Sequence, residues 1–198
     1  VGDSTSVGLV SRRLIPDEEE QMPARYRAVG VERFLPEISG GRSMVERLAQ
    51  QENATEVVER TRAGGFDGCW VLAVGVNDAA NVRGDVAKLS ARIDTMMVKI
   101  GRAPVLWLTS KTLRGAGAYR NDNMEAWNRA LSGACARYPN VRVYDWASEA
   151  KDEWFGEDGI HPNATGFRER AERIAKALAI AFPEAGRSPT ECLVRTAP

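Results

Sequence analysis

Apolar runs and amphipathic stretches alternate along this chain. Three short runs are apolar enough to be buried strands: Cys69–Val74, Pro104–Leu108 and Val141–Tyr144. A weaker strand candidate lies around Tyr26–Phe34. Other segments place apolar residues three and four apart, the period of a helix with one buried face. Val82–Ile100 does so most regularly, with Val86, Leu89, Ile93, Met96, Met97 and Ile100 in one stripe. In Ala164–Phe182 the residues Phe167, Ala171, Ile174, Ala175, Leu178 and Phe182 share a face. Met44–Arg62, with a polar middle, and Asn123–Tyr138 also read as helices, and Gly101 and Pro183 are natural stops. Strands alternating with helices predict an α/β domain built on a parallel sheet. The stretch after Pro183 has Gly186, Pro189 and no clear period. The expected organisation is one domain over residues 1–183 with an appended tail, 184–198.

Composition narrows the class of function. The chain has 198 residues, 43% hydrophobic and 27% charged, with 27 basic and 27 acidic side chains. A balanced charge argues against a nucleic-acid partner, which calls for a basic excess. No apolar run is long enough to span a membrane, and no signal peptide is visible. The cysteines Cys69, Cys135 and Cys192 form no Cys-x-x-Cys pair, so a zinc ribbon or thioredoxin-type site is unsupported. Cys69 opens an apolar run and reads as a buried small hydrophobe. Cys135 and Cys192 leave two readings open: a disulfide that pins the tail, or two unpaired thiols.

The candidate chemistry begins with the single histidine. His161 lies in Asp158-Gly159-Ile160-His161-Pro162-Asn163, just ahead of the last helix. A carboxylate three residues upstream, across a glycine-containing turn, is placed to reach one imidazole nitrogen and leave the other free as a base. A base needs a nucleophile, and Ser4 follows Gly2 and Asp3 where a first strand is expected to end and Ser6–Val10 opens a helix. Such a strand-to-helix turn exposes a side chain at the carboxyl edge of a sheet and turns backbone N–H groups toward developing negative charge. Alone, Ser4 or Ser6 reads equally as a helix cap. Gly75-Val76-Asn77-Asp78 follows another strand, where the Asn77 amide is a candidate oxyanion donor or else a turn residue. Ser39-Gly40-Gly41-Arg42-Ser43 supplies paired glycines that let backbone approach a ligand, or a plain loop.

In order, these elements run Gly-Asp-Ser, Gly, Gly-x-Asn-Asp, Asp-x-x-His. The chain thereby resembles the SGNH, or GDSL, hydrolase superfamily from Gly2 to Asn163. The resemblance implies a flavodoxin-like three-layer α/β/α sandwich with a central parallel sheet of about five strands. It implies Ser4 as nucleophile, with Asp158 and His161 completing a catalytic triad. It also implies an oxyanion hole made by the backbone N–H groups of Ser4 and Gly41 and the Asn77 amide, with Gly40 as the alternative to Gly41. Asp3 and Asp78 are then structural. Members carry an apolar strand before Gly-Asp-Ser, of which Val1 alone is present. An acyl-serine would pass its acyl group to water or to a sugar hydroxyl, with no metal or organic cofactor.

The expected substrate is a small acyl ester, above all an acetylated carbohydrate or envelope polymer, with Trp154 and Phe155 as candidates to line the site. In the family such domains also occur fused to membrane acyltransferase domains and facing outward, which favours an extracytoplasmic setting over a cytoplasmic one. No membrane contact is expected of this domain itself. The rival readings are a lipid or small-molecule esterase or thioesterase, and a non-catalytic carbohydrate-binding domain on the same fold.

Overall fold

The computed structural model describes residues 1–186 and 188–196. After a 3₁₀ helix, Ser4–Val10, and a short one at Glu18–Glu20, the order is α1 (Met22–Arg27), α2 (Ala54–Ala63), β1 (Trp70–Leu72), α3 (Val76–Asn81), α4 (Val86–Ile100), β2 (Val105–Leu108), α5 (Asn121–Ala134), β3 (Val141–Tyr144), α6 (Trp146–Glu149), α7 (Ala164–Ala181) and β4 (Leu193–Val194). A last 3₁₀ turn, Asp152–Trp154, precedes α7.

The four strands make one parallel sheet in the order β1-β2-β3-β4. β2 is buried along its whole length. Its side chains divide between two cores, as period-2 alternation requires in a sheet covered on both faces. Val105 and Trp107 face a core filled by α2, α3, α4 and α5, while Leu106 and Leu108 face one filled by the Ser4–Val10 helix, α1 and α7. These are the three layers of an α/β/α sandwich. Among the described residues the named strands number four, against about five expected. Val1–Asp3 add a short parallel contact at the β1 edge: the Val1 amine donates to the Val71 carbonyl at 2.8 Å, and Gly2 bridges Ala73 and Ile38.

Several expected boundaries move, each for a local reason. No strand forms at Tyr26–Phe34: Tyr26 belongs to α1, and its ring meets Phe34 edge-on. The expected helix Met44–Arg62 is helical only from Ala54. Asn53 caps Glu56 N–H and Glu56 returns the bond, a capping box that fixes the start. The carbonyls of Ser43 and Met44 take the N–H groups of Ala54 and Thr55, so residues 43–44 brace the helix rather than belong to it. Val82–Ile100 breaks at Arg83–Asp85, where Arg83 and Gly84 have positive φ and Asp85 caps α4. Val86 lies 38% exposed, outside the buried stripe.

Within the expected tail, Leu193–Val194 forms β4 against β3. Cys192, next to it, is joined to Cys135 at the end of α5 by a disulfide. Cys69 is exposed and free, not a buried hydrophobe, because the buried part of that run starts at Trp70.

Candidate active site

The site lies at the carboxyl ends of the strands. The Asp3 N–H donates to the Ala73 carbonyl just past β1 and ties the Gly-Asp-Ser turn to the sheet. Asp3 is fully buried and caps the 3₁₀ helix, its carboxylate accepting from Thr5 N at 2.9 Å and from the Thr5 hydroxyl at 2.7 Å. Burial pushes the Asp3 pKa up, against those two bonds and the nearby Arg170. Burial likewise pulls the Arg170 guanidinium down to about 10. Gly8 admits the Phe167 ring of α7, which would lie 2.3 Å from a β-carbon there. The turn that carries Ser4 is therefore held by a buried cap below and by helix packing beside it.

The His161 loop is fixed by its backbone. Gly156 N donates to the His161 carbonyl at 2.8 Å, and Gly159, at φ +64°, turns the chain between them. Asn163 accepts from Gly166 N to start α7 and donates to the Glu153 and Phe155 carbonyls. One Asp158 oxygen accepts from the N–H groups of Ile160 and His161 at 2.8 and 2.9 Å. The other lies 2.6 Å from His161 Nδ1. His161 Nε2 lies 2.9 Å from Ser4 Oγ. Partial burial alone would raise the Asp158 pKa, but the bonds from His161 and Ile160 outweigh it and hold the carboxyl at about 2. Asp158 and His161 remain 50% and 41% exposed at the side chain, so the site is open to solvent.

Asn77 sits in the first turn of α3, directly after Gly75. Gly75 has φ +141°, and a β-carbon there would fall 2.3 Å from Trp127, so this turn excludes any side chain. The Asn77 amide donates from Nδ2 to the Arg42 carbonyl at 2.9 Å. Its Oδ1 accepts the Tyr119 hydroxyl at 3.0 Å. The Asn77 contact thus lands on the residue after Gly41, which has φ +68° and sits beneath Leu48. Met44 N donates to both oxygens of the buried Asp78 at 3.1 Å, and Arg92 pairs with Asp78 at 2.7 Å. Burial pushes Asp78 up to about 6 against the pull of Arg92. Ser4, Asp158 and His161 therefore converge, and Asn77 and the Gly40–Arg42 loop meet each other through a direct hydrogen bond.

Trp154 and Phe155 are both buried rather than open to the solvent-facing side of the site. Trp154 stacks on Trp146 in the core, and Phe155 borders a cavity of about 10 Å³ beneath the His161 loop, shared with Thr5, Ile160 and Arg170. A cavity of about 310 Å³ lies at the β1 edge. Val1, Leu9, Tyr26, Phe34, Ile38 and Val71 border it, and none of Ser4, Asp158 and His161 does. The Tyr119 contact with Asn77 is not foreshadowed by the sequence. Tyr119 stands 42 positions from Asn77, and nothing in its local sequence marks it. Among the described residues, no cluster of three His, Cys, Asp or Glu is placed to hold a metal ion.

A carboxylate, an imidazole and a hydroxyl in series constitute a proton path that can raise the nucleophilicity of a serine. Comparisons with known proteins bear on the family and the fold. The model of the GDSL-like Lipase/Acylhydrolase family matches residues 1–169. The comparison with curated protein sequences gave no match. Among solved structures, a lipase/acylhydrolase from Enterococcus faecalis superposes with a TM-score of 0.63 at 19% identity, covering 89% of this chain and 92% of its own. A member of the lipolytic G-D-S-L family from Veillonella parvula superposes at 0.60 with 16% identity, covering 86% of this chain and 91% of its own.

Proposed function

Because this chain belongs to the GDSL-like lipase/acylhydrolase family and is thus an esterase-type hydrolase, we propose that it cleaves or transfers a small acyl group through an acyl-serine at Ser4. The observation that carries the reading is the unbroken path from Asp158 through His161 to Ser4, at 2.6 and 2.9 Å. In this mechanism the Ser4 hydroxyl donates to His161 Nε2 and loses its proton there as Oγ attacks the ester carbonyl. Asp158 accepts from Nδ1–H, fixes that tautomer and stabilises the imidazolium. The backbone N–H groups of Ser4 and Gly41 and the second Nδ2 hydrogen of Asn77 receive the oxyanion. His161 then returns its proton to the leaving alcohol. Water, or a sugar hydroxyl in a transfer reaction, attacks the acyl-serine by the same route in reverse.

Two observations support a short acyl group on a bulky, polar acceptor. Asp158 is exposed and His161 and Ser4 are half-buried, so a carbohydrate or polymer ester can approach from solvent. The 310 Å³ cavity would suit a longer chain but is not bordered by the triad, so we rank lipid esterase and thioesterase activity second. The Cys135–Cys192 disulfide supports an extracytoplasmic setting, since such bonds persist in oxidising compartments. Among the described residues no helix is long and apolar enough to cross a membrane. The test is hydrolysis of chromogenic acetyl and decanoyl esters by the wild-type chain and by Ser4→Ala. The expected result is acetyl-ester turnover that Ser4→Ala abolishes, with a falling rate as the acyl chain lengthens. A folded Ser4→Ala variant as active as wild type would overturn the mechanism. Wild-type protein inert toward every ester yet binding oligosaccharide would favour the carbohydrate-binding reading.

A further inference from the structure

The loop between β2 and α5 reaches both halves of the site. At one end the Leu113 N–H donates to the Gly159 carbonyl at 2.7 Å, inside the turn that carries Asp158 and His161. At the other end the Tyr119 hydroxyl donates to Asn77 Oδ1 at 3.0 Å. Between these contacts the loop is tightly braced. The Thr112 hydroxyl donates to the Tyr119 carbonyl at 2.7 Å, and Asn123 donates from Nδ2 to the Ala118 carbonyl at 2.7 Å. Asn121 accepts from Thr112 N at 3.0 Å. The Tyr119 backbone is thus held on two sides, and its ring packs against the core under α3 and α5. A phenol so anchored is a fixed donor rather than a wandering one.

Resting on the oxyanion role proposed for Asn77, we propose that Tyr119 is the positioning residue of the oxyanion hole. Asn77 is buried, and its amide has three polar demands at once. Arg42 takes one Nδ2 hydrogen. Tyr119 occupies Oδ1. The remaining Nδ2 hydrogen is left for the substrate oxygen. With both Arg42 and Tyr119 in place, the amide torsion is fixed and the acceptor side is satisfied, so no rearrangement is needed when charge develops. Donation to Oδ1 also polarises the amide and strengthens its N–H as a donor. Without the phenol hydroxyl, Oδ1 becomes a buried acceptor with no partner, and the amide gains by rotating to find one. Tyr119 touches neither the serine nor the substrate in this arrangement. It acts through Asn77, and its loop gives the oxyanion donor and the acid–base turn a common support.

The test is a double-mutant cycle on acetyl-ester hydrolysis with Tyr119→Phe, Asn77→Ala and the pair, each checked for folding by circular dichroism. Tyr119→Phe removes one oxygen and keeps the packed ring. We expect it to lower kcat on the order of 10-fold, a fraction of the loss for a missing oxyanion donor, with KM changed less than about two-fold. In the Asn77→Ala background the same change has no further effect on kcat, because the group it positions is gone. A folded Tyr119→Phe variant with wild-type kcat overturns the proposal, as does a full multiplicative loss in the Asn77→Ala background. Asn77→Ala at wild-type kcat would instead overturn the oxyanion assignment beneath it, and inert Ser4→Ala beside an unaffected Tyr119→Phe would leave the serine mechanism standing while removing Tyr119 from it.

Discussion

At the scale of single residues, environment separates the three aspartates Asp3, Asp78 and Asp158. Asp158 is half exposed and accepts three bonds, which keep it ionised to about pH 2. Asp3 and Asp78 are fully buried, and burial pushes both upward. The sign for Asp158 follows directly. Its folded pKa lies below the ordinary value of 3.8, so its stabilising contribution is complete above that value and is lost as the pH falls from there toward 2. Asp158 therefore stays ionised through mild acidity, where the buried Asp78, pushed up to about 6, takes up its proton. A protonated imidazole at position 161 could not accept from Ser4, so kcat/KM should fall toward acid pH in a pH–rate profile with an acetyl ester. Asp158→Asn should keep the fold and lose most turnover, because an amide can hold the wrong tautomer of His161. Asn77→Ala should cost roughly 100-fold or more in kcat if its amide serves the oxyanion. Near-normal turnover in a folded Asn77→Ala variant would make Asn77 a turn residue whose work is to hold Arg42.

At the scale of elements, caps and glycines decide where the functional loops sit. The Asn53–Glu56 capping box starts α2 and leaves residues 43–53 to the loop that follows Arg42, whose carbonyl accepts from Asn77. Asn53→Ala should destabilise the fold by about 1 kcal/mol in urea unfolding, with a further loss because Asn53 also donates to the Val45 carbonyl at 2.8 Å. Gly75 is the sharper case. Its φ of +141° and the Trp127 ring 2.3 Å from an added β-carbon leave no tolerable side chain. Gly75→Ala should lower Tm and kcat together, since α3 must shift and Asn77 moves with it. A Gly75→Ala variant with wild-type Tm would show that the turn relaxes more easily than its packing implies.

At the scale of the whole molecule, the sheet is closed on its far edge by a covalent link. The Cys135–Cys192 disulfide spans 57 residues and holds β4 against β3. A chain-entropy treatment of a loop of that length gives on the order of 4 kcal/mol. Cys192→Ser should therefore lower stability by a few kcal/mol, read as a shift in the urea midpoint. Well below the transition kcat should not change, because Ser4, Asn77, Asp158 and His161 lie on the Ser4–Val10 helix, on α3 and on the loop before α7, none of which is β4. Equal unfolding midpoints for the reduced and oxidised protein would show that β4 adds nothing to the global fold.

The order of Gly-Asp-Ser, Gly-x-Asn-Asp and Asp-x-x-His, together with the alternation of apolar runs and helical stripes, was enough to reach the α/β architecture and to single out Ser4, Asn77, Asp158 and His161. Those signals are local: a strand leaves a run of buried apolar residues, and a reactive turn needs particular residue types within a few positions. What escaped is what depends on distance. Leu193–Val194 carries too short a pattern to announce a strand and becomes one only because β3 offers an open edge and Cys192 is tied to Cys135. Trp154 and Phe155 stand near His161 in sequence, yet their side chains turn into the core. Tyr119 meets Asn77 across 42 residues, through a loop whose shape is set by Thr112, Asn121 and Asn123. Periodicity and motif spacing record which face of an element is buried; which partner waits there is decided only when the layers pack.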